Sequence, residues 1–196
     1  MRLDHVAYRV KDRKKTAQFF IDSFGYRIQD EFTINFDNGS TAQCIALEPP
    51  EKVILQEGEA FPWSHSESRS FYRIAGDGAC DHSFHQEYHI PPEIFVSDGQ
   101  PGSPVHKWVE RRGDVGGVHH LAYQVKSVTE KMTEWKEKGY AEFLTAEPLT
   151  CPGLTQVFTK PSELTGVIYE FIEREGAHGF CRENVKDLMD ATEDLE

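Results

Sequence analysis

No stretch of this chain approaches the roughly 18 consecutive apolar residues of a membrane-spanning helix. The start, Met1-Arg2-Leu3-Asp4-His5, enters an alternating pattern without the long apolar core of a secretory leader. A cytoplasmic protein with no membrane partner is the expectation. Basic charge is scarce too: 21 Lys and Arg against 33 Asp and Glu leave a formal net charge of -12, which repels nucleic-acid backbones and anionic surfaces. Cysteine is sparse. Cys44, Cys80, Cys151 and Cys181 are widely spaced in a chain too long for a disulfide scaffold, so reduced thiols are expected. Also missing are a phosphate-cradling glycine loop and a Gly-x-Ser-x-Gly elbow, which removes the nucleotide-binding and serine-hydrolase readings.

What is present is a repeat. Asp4-His-Val-Ala-Tyr-Arg-Val-Lys11 is answered by His119-His-Leu-Ala-Tyr-Gln-Val-Lys126, with His, Ala, Tyr, Val and Lys shared. Each copy alternates with the two-residue period of a strand, so His5, Ala7 and Arg9 share one face, and His120, Ala122 and Gln124 the matching one. His119 falls on the opposite face by the same alternation. A helix pattern follows each copy. Asp12 caps a segment through Phe19, Phe20 and Phe24 that stops at Gly25, and Ser127-Val-Thr-Glu130 is a capping box ahead of Met132, Trp135 and Gly139.

Strand-like stretches then run over Tyr26 to Phe36, Thr41 to Leu47 and Val53 to Gln56 in the first copy. In the second they run over Ala141 to Ala146, Thr155 to Thr159 and Val167 to Ile172. The expected fold is α+β, with two tandem βαβββ modules forming a partly closed mixed-sheet barrel around a metal site. The expected boundaries are 1–58 for the first module, 59–115 for an insertion and a connector helix opening at Ser103-Pro104, 116–174 for the second module, and 175–196 for a C-terminal helix.

Two histidines at equivalent strand positions, plus Glu170 alone among Ile168, Ile172 and aromatic neighbours, make a two-His-one-carboxylate set. A buried carboxylate in apolar company needs a cation, and these donors suit Fe(II), with Co(II), Mn(II), Ni(II) or Zn(II) able to take the same ligands. Aligning Lys52-Val-Ile-Leu-Gln56 with Gly166-Val-Ile-Tyr-Glu170 adds Gln56 as a fourth ligand or a neutral hydrogen-bonding neighbour. Cys80, His82, His85 and His89 match no strong zinc spacing and read as loop residues.

Asp4-His-Val-Ala-Tyr, Gly116-Gly-Val-His-His-Leu-Ala-Tyr123 and Val167-Ile-Tyr-Glu-Phe-Ile172 resemble the metal-binding strands of the vicinal-oxygen-chelate superfamily. This group includes glyoxalases, methylmalonyl-CoA epimerases and several dioxygenases. A narrower stretch is similar to the C-terminal half of the 4-hydroxyphenylpyruvate dioxygenase family. It covers Leu154-Thr-Gln-Val-Phe-Thr-Lys-Pro161 and Glu170-Phe-Ile-Glu-Arg-Glu-Gly176 through Gly179-Phe-Cys-Arg-Glu-Asn184. Cys181, Glu183 and Val185 stand where that family has Gly, Gly and Phe. The resemblance implies Fe(II) held by His5, His120 and Glu170, Gln156 beside the metal, Phe158 and Phe180 in an aromatic pocket, and the terminal helix from Asn184 as a lid. It also implies a chelating 2-oxo acid and O2 as reactants, with a homodimer as one assembly. The alternative is an epimerase or lyase using a non-redox divalent metal, for which a His, Gln, His, Glu set would serve. A ligand-sequestering protein on the same fold is a third class.

Overall fold

A computed structural model of the chain describes residues 1–49, 91–176 and 179–193, together with the backbone of four short strands within 52–89. The elements in order are β1 (Arg2–Arg9), α1 (Arg13–Phe24), β2 (Arg27–Asn35), β3 (Thr41–Glu48), β4 (Lys52–Gln56), β5 (Glu59–Pro62), β6 (Phe71–Ile74), β7 (Gln86–His89) and β8 (Glu93–Gly99). They continue with α2 (Pro104–Arg111), β9 (Gly117–Gln124), α3 (Val128–Glu137), β10 (Leu149–Cys151), β11 (Leu154–Phe158), β12 (Ile168–Arg174) and α4 (Arg182–Ala191). Among the described residues, no helix is long and apolar enough to cross a membrane.

The helices start and stop where local chemistry dictates. The Asp12 side chain accepts from the Lys15 N–H at 3.0 Å, and α1 ends on Gly25, whose φ of 74° lies in the left-handed region that glycine reaches without a Cβ penalty. Ser103 caps α2 by accepting from His106 N at 3.2 Å, with Pro104 opening the helix, and Ser127 caps α3 by accepting from Glu130 N at 3.2 Å.

The principal sheet is mixed and eight-stranded, in the order β10-β11-β12-β9-β1-β8-β3-β2, and it curls into a half-barrel. The order is symmetric about the β1–β9 pair. Each half is a βαβββ unit whose first and last strands run parallel, and the halves join where β1 and β9 pair antiparallel. Strand alternation sorts the faces. Val6 and Val10 pack under α1 with Ala17, Tyr26, Ile45, Leu47, Ile94 and Val96, while Ala7 faces the concave side with Phe32, Phe95 and Val185. In the second half Val128 and Met132 of α3 pack on Val157 and Phe171.

Two strand assignments differ from the sequence reading. The last strand of the first half is β8, not Val53–Gln56: that run forms β4 and pairs with β5 in a separate two-stranded sheet. A Val-Ile-Leu run satisfies strand propensity in either place, and only pairing with β1 selects β8. Ala141 to Ala146 contributes no strand beyond an isolated bridge between Phe143 and Thr159, and the edge strand is the three-residue β10.

Candidate metal centre

The centre of the sheet brings the donors together. On the β1–β9 ladder Ala7 lies opposite His120 and His5 opposite Ala122, so the two imidazoles stand diagonally beside small alanines, and β12 sets Glu170 opposite Ala122 from the other side. His5 Nε2 is 3.2 Å from His120 Nε2, and Glu170 Oε2 is 3.2 Å from the first nitrogen and 3.3 Å from the second. Three donors with edges of this size can all lie about 2.1 Å from one point just off their plane, the usual bond length for a divalent first-row ion. Glu170 Oε2 is buried and accepts no hydrogen bond of good geometry despite these neighbours. An orphaned carboxylate oxygen aimed between two imidazole nitrogens is what a cation would satisfy.

The charges show the same tension. Burial opposes ionisation of Glu170, yet His5 and His120 hold its pKa down at about 2. Burial likewise opposes protonation of His5, but Glu170 and Asp4 push its pKa up to about 9. His120 is lowered, chiefly by burial, against the opposing bond from Glu170. Without a metal, a proton on His5 supplies the positive charge the carboxylate requires.

Each imidazole is braced by the residue before it. The ladder slips one residue at Asp4 on β1 and again at His119 on β9, leaving each as the extra residue of a β-bulge. Asp4 Oδ1 accepts from His5 Nδ1 at 3.0 Å, and His119 Nδ1 lies 3.0 Å from His120 Nδ1. Arg174 clamps Asp4 by donating from Nη2 to Oδ1 at 2.8 Å and from Nε to Oδ2 at 3.0 Å, and its Nη1 donates to Gly179 O at 2.8 Å. Burial would raise the Asp4 pKa, but His5 and Arg174 hold it well below the usual carboxylate range. His119 therefore does not point away from the site as simple alternation predicts. The bulge turns it into the cavity wall, where its ring meets Trp108 edge-on at 5.8 Å.

A small cavity lies beside the donors. Gln156 lines it and donates from Nε2 to Glu170 Oε1 at 2.5 Å, while its own Oε1 accepts from Asn184 Nδ2 at 2.7 Å. Phe158 packs edge-on to His120 at 5.7 Å and Phe180 edge-on to His5 at 4.8 Å. Helix α4 closes the concave side with Val185, Leu188 and Met189. The start of α4 is tied down by a disulfide between Cys151 and Cys181, a correction to the expectation of reduced thiols. The pairing arises because the β10 edge and the α4 N-cap meet, which sequence spacing does not reveal. Cys44 is a buried free thiol.

The alignment of Gln56 with Glu170 does not survive the register. In the second half Glu170 is opposite Ala122, and the residue opposite Ala7 in the first half is Phe95. Gln56 sits on β4 outside the principal sheet, and its side chain lies outside the described residues. The side chains of Cys80, His82, His85 and His89 lie outside them too. Sequence reasoning gave no bracing or hydrogen-bonding role to Asp4, Arg174 or Asn184, and it put Arg9 on the His5 face without a role. Asp4 carried a signal as the residue preceding a motif histidine, and Arg9 one through its alternation with His5; Arg174 carried none.

Comparisons with known proteins agree with this architecture. The chain is similar to a triple mutant of 4-hydroxymandelate synthase from Streptomyces coelicolor, with 20% identity and a TM-score of 0.66 over 98% of this chain and 53% of that one. It therefore spans about half the length of the synthase. It is also similar to a selenomethionine form of methylmalonyl-CoA epimerase (18% identity, TM-score 0.58, 89% of this chain and 95% of that one). The Mycobacterium tuberculosis epimerase is similar as well (19% identity, TM-score 0.55, 88% and 87%). No protein of curated function matches the sequence significantly. A sequence profile matches residues 4–150, from the first bulge through the edge of the second half, and by that match the chain belongs to the glyoxalase/bleomycin resistance protein/dioxygenase superfamily.

Proposed function

We propose that the chain is an Fe(II)-dependent dioxygenase acting on a 2-oxo acid, in the manner of the 4-hydroxyphenylpyruvate dioxygenase family it resembles. The observation that carries this reading is the residue at the fourth symmetric position. Where a second donor would mirror Glu170, the sheet presents Phe95, whose ring packs on Phe180 at 4.7 Å. Three protein donors on one face, with an aromatic ring in the remaining place, match a facial triad that leaves positions open. An epimerase with four protein ligands would need a further donor there.

His5, His120 and Glu170 would hold the ion, and the donor set fits it. Bound Fe(II) would supply the redox chemistry that couples O2 consumption to loss of CO2 from a chelating 2-oxo acid. The chain's own residues do the rest. Asp4 holds His5 in the Nδ1–H tautomer, so that Nε2 is the ligating atom. Gln156 and Asn184 fix the Glu170 carboxylate through Oε1 and leave Oε2 for the ion. Phe158, Phe180 and the apolar face of α4 keep water from the substrate.

Protein loaded anaerobically with Fe(II) should consume O2 and release CO2 with members of a 2-oxo-acid panel, and Glu170→Ala should lose bound metal and both signals. Proton exchange at a substrate carbon under Co(II), with no oxygen uptake across the panel, would replace this reading by the epimerase one.

A further inference from the structure

The three donors are covered, and the cavity beside them has room for about one water. No organic ligand reaches them while the walls stand as they do. Most of that wall is sheet, contributed by β1, β8, β9, β11 and β12, whose positions the strand ladder fixes. The exception is the segment that runs into α4, which supplies Phe180, Val185, Leu188 and Met189. Phe180 stands edge-on to His5, with ring centroids 4.8 Å apart. Access to the donors therefore requires this segment to move.

The two ends of α4 are held by different means. At the far end Arg9 Nη2 donates to Thr192 Oγ1 at 2.8 Å and Arg111 Nη2 to Glu193 O at 2.9 Å. At the start Asn184 Nδ2 donates to Gln156 Oε1 at 2.7 Å and Arg182 Nη2 lies 3.5 Å from Asp30 Oδ2, but the strongest tie there is covalent. It joins Cys181, the N-cap residue, to Cys151 on β10. Phe180 is the chain neighbour of Cys181, so the bond fixes the ring that covers His5. Its other end rests on β10, which pairs with the strand carrying Gln156 and Phe158. Both cysteines pack against Ala122, Leu154 and Ile172 and are half-buried, within reach of a small thiol. A chain of 196 residues buries enough apolar surface to fold without a staple, so stability alone does not call for this bond.

We propose that the Cys151–Cys181 pair is a redox latch on α4: oxidised, it holds Phe180 and the first turns of the helix over the donors, and reduced, it lets that segment lift and admit a ligand. This regulates the metal centre described above and rests on that reading of the three donors, not on the reaction they serve. The reductant is a dithiol. Its thiolate attacks one sulfur of the pair, forms a mixed disulfide and expels the other sulfur as a thiolate, which takes up a proton. Its second thiol then attacks the mixed disulfide and the reductant leaves as a cyclic disulfide. The protein gains two electrons and two protons, and one S–S bond becomes two S–H bonds. Non-covalent contacts alone then hold the start of α4, and its opening becomes a local equilibrium.

The test compares the full chain oxidised by glutathione disulfide with the same protein reduced by dithiothreitol and freed of it by gel filtration under nitrogen. Peptide mapping after alkylation should find Cys151 and Cys181 joined in the first and free in the second. In metal-free protein the amides from Val185 to Met189 should exchange with deuterium about tenfold faster after reduction, while those of α1 and α3 keep their rates. In Co(II)-loaded protein EDTA should withdraw the ion several-fold faster after reduction, and reoxidation should restore the slow rate. Cys181→Ser should behave as the reduced protein under either treatment. The latch is overturned by equal α4 exchange in the two states, by an EDTA rate that reduction leaves unchanged, or by cysteines that stay apart under the oxidant. Faster exchange spread over α1 and α3 as well would overturn it too, by making the bond a general staple. If neither form retains Co(II), the metal-centre reading falls and the α4 exchange still decides the latch.

Discussion

The two halves of the sheet share a strand order and a bulge before the metal-facing imidazole, but they support that imidazole by different chemistry. In the first half the bulged residue is Asp4, a carboxylate clamped by Arg174. In the second it is His119, a buried ring whose pKa burial, Arg9, His120 and Arg112 all drive well below the ordinary value. One ligand thus has an anion behind it and the other a neutral partner. The halves differ again at the mirrored strand position, Glu170 in one and Phe95 in the other. A duplicated frame has kept its geometry and divided its chemistry, so equivalent positions predict placement better than they predict role.

The sharpest way to break this comparison is to remove the two braces in turn. Asp4→Asn should cost about 10- to 100-fold in metal affinity, the range typical of a partner behind a ligating histidine, because it also releases Arg174 from the segment leading to Phe180. His119→Gln should cost clearly less in a competitive metal titration. Equal losses would mean that both halves brace their ligand alike.

A smaller effect is expected at the carboxylate arm, which only the second half has. Gln156→Ala removes the donor to Glu170 Oε1 but not the atom facing the ion. Metal content after dialysis should stay near that of the unaltered protein while turnover drops about tenfold, in line with other partners of ligating groups. Loss of metal instead would make Gln156 a structural support of the site.

The smallest expected effect lies at the residue following each helix-ending glycine. Tyr26 is 7% exposed and donates to Pro92 O at 2.8 Å, whereas its counterpart Tyr140 is 62% exposed. Burial, helped by Tyr8, pushes the Tyr26 pKa from 10.0 up to about 12. The folded state therefore holds this proton more tightly than the unfolded chain. The associated stability is complete below pH 10 and is lost as pH rises toward 12. Urea midpoints at pH 9 and pH 11 should fall less in Tyr26→Phe than in the unaltered protein, and Tyr140→Phe should follow the unaltered protein.

Much of the fold was legible because its signals are local. The two-residue period placed His5 and His120 on one face, Asp12, Ser103 and Ser127 marked helix starts, and Glu170 stood out as a carboxylate between apolar neighbours. The remainder depends on which strand lies alongside. A bulge is a mismatch between two strands, so neither copy of the repeat betrays Asp4 or His119 as the extra residue. Val53–Gln56 shares its opening Val-Ile with Val167–Glu170, yet pairing with β1 belongs to Glu93–Gly99. Arg174, Asn184 and the Cys151–Cys181 pair reach the site from segments that follow or flank it, and no spacing rule links them to it.

The join between β1 and β9 also governs how this protein is assembled. His5 and His120 are separated by 115 positions and meet only across that ladder. A nascent first half carries one of the three donors, and the second half alone carries two. Contacts between residues so distant in sequence are slow to form because the intervening chain must first be closed. The complete ion-binding geometry is thus a late product of folding, and an ion bound there stabilises the joined state of the halves more than either half alone.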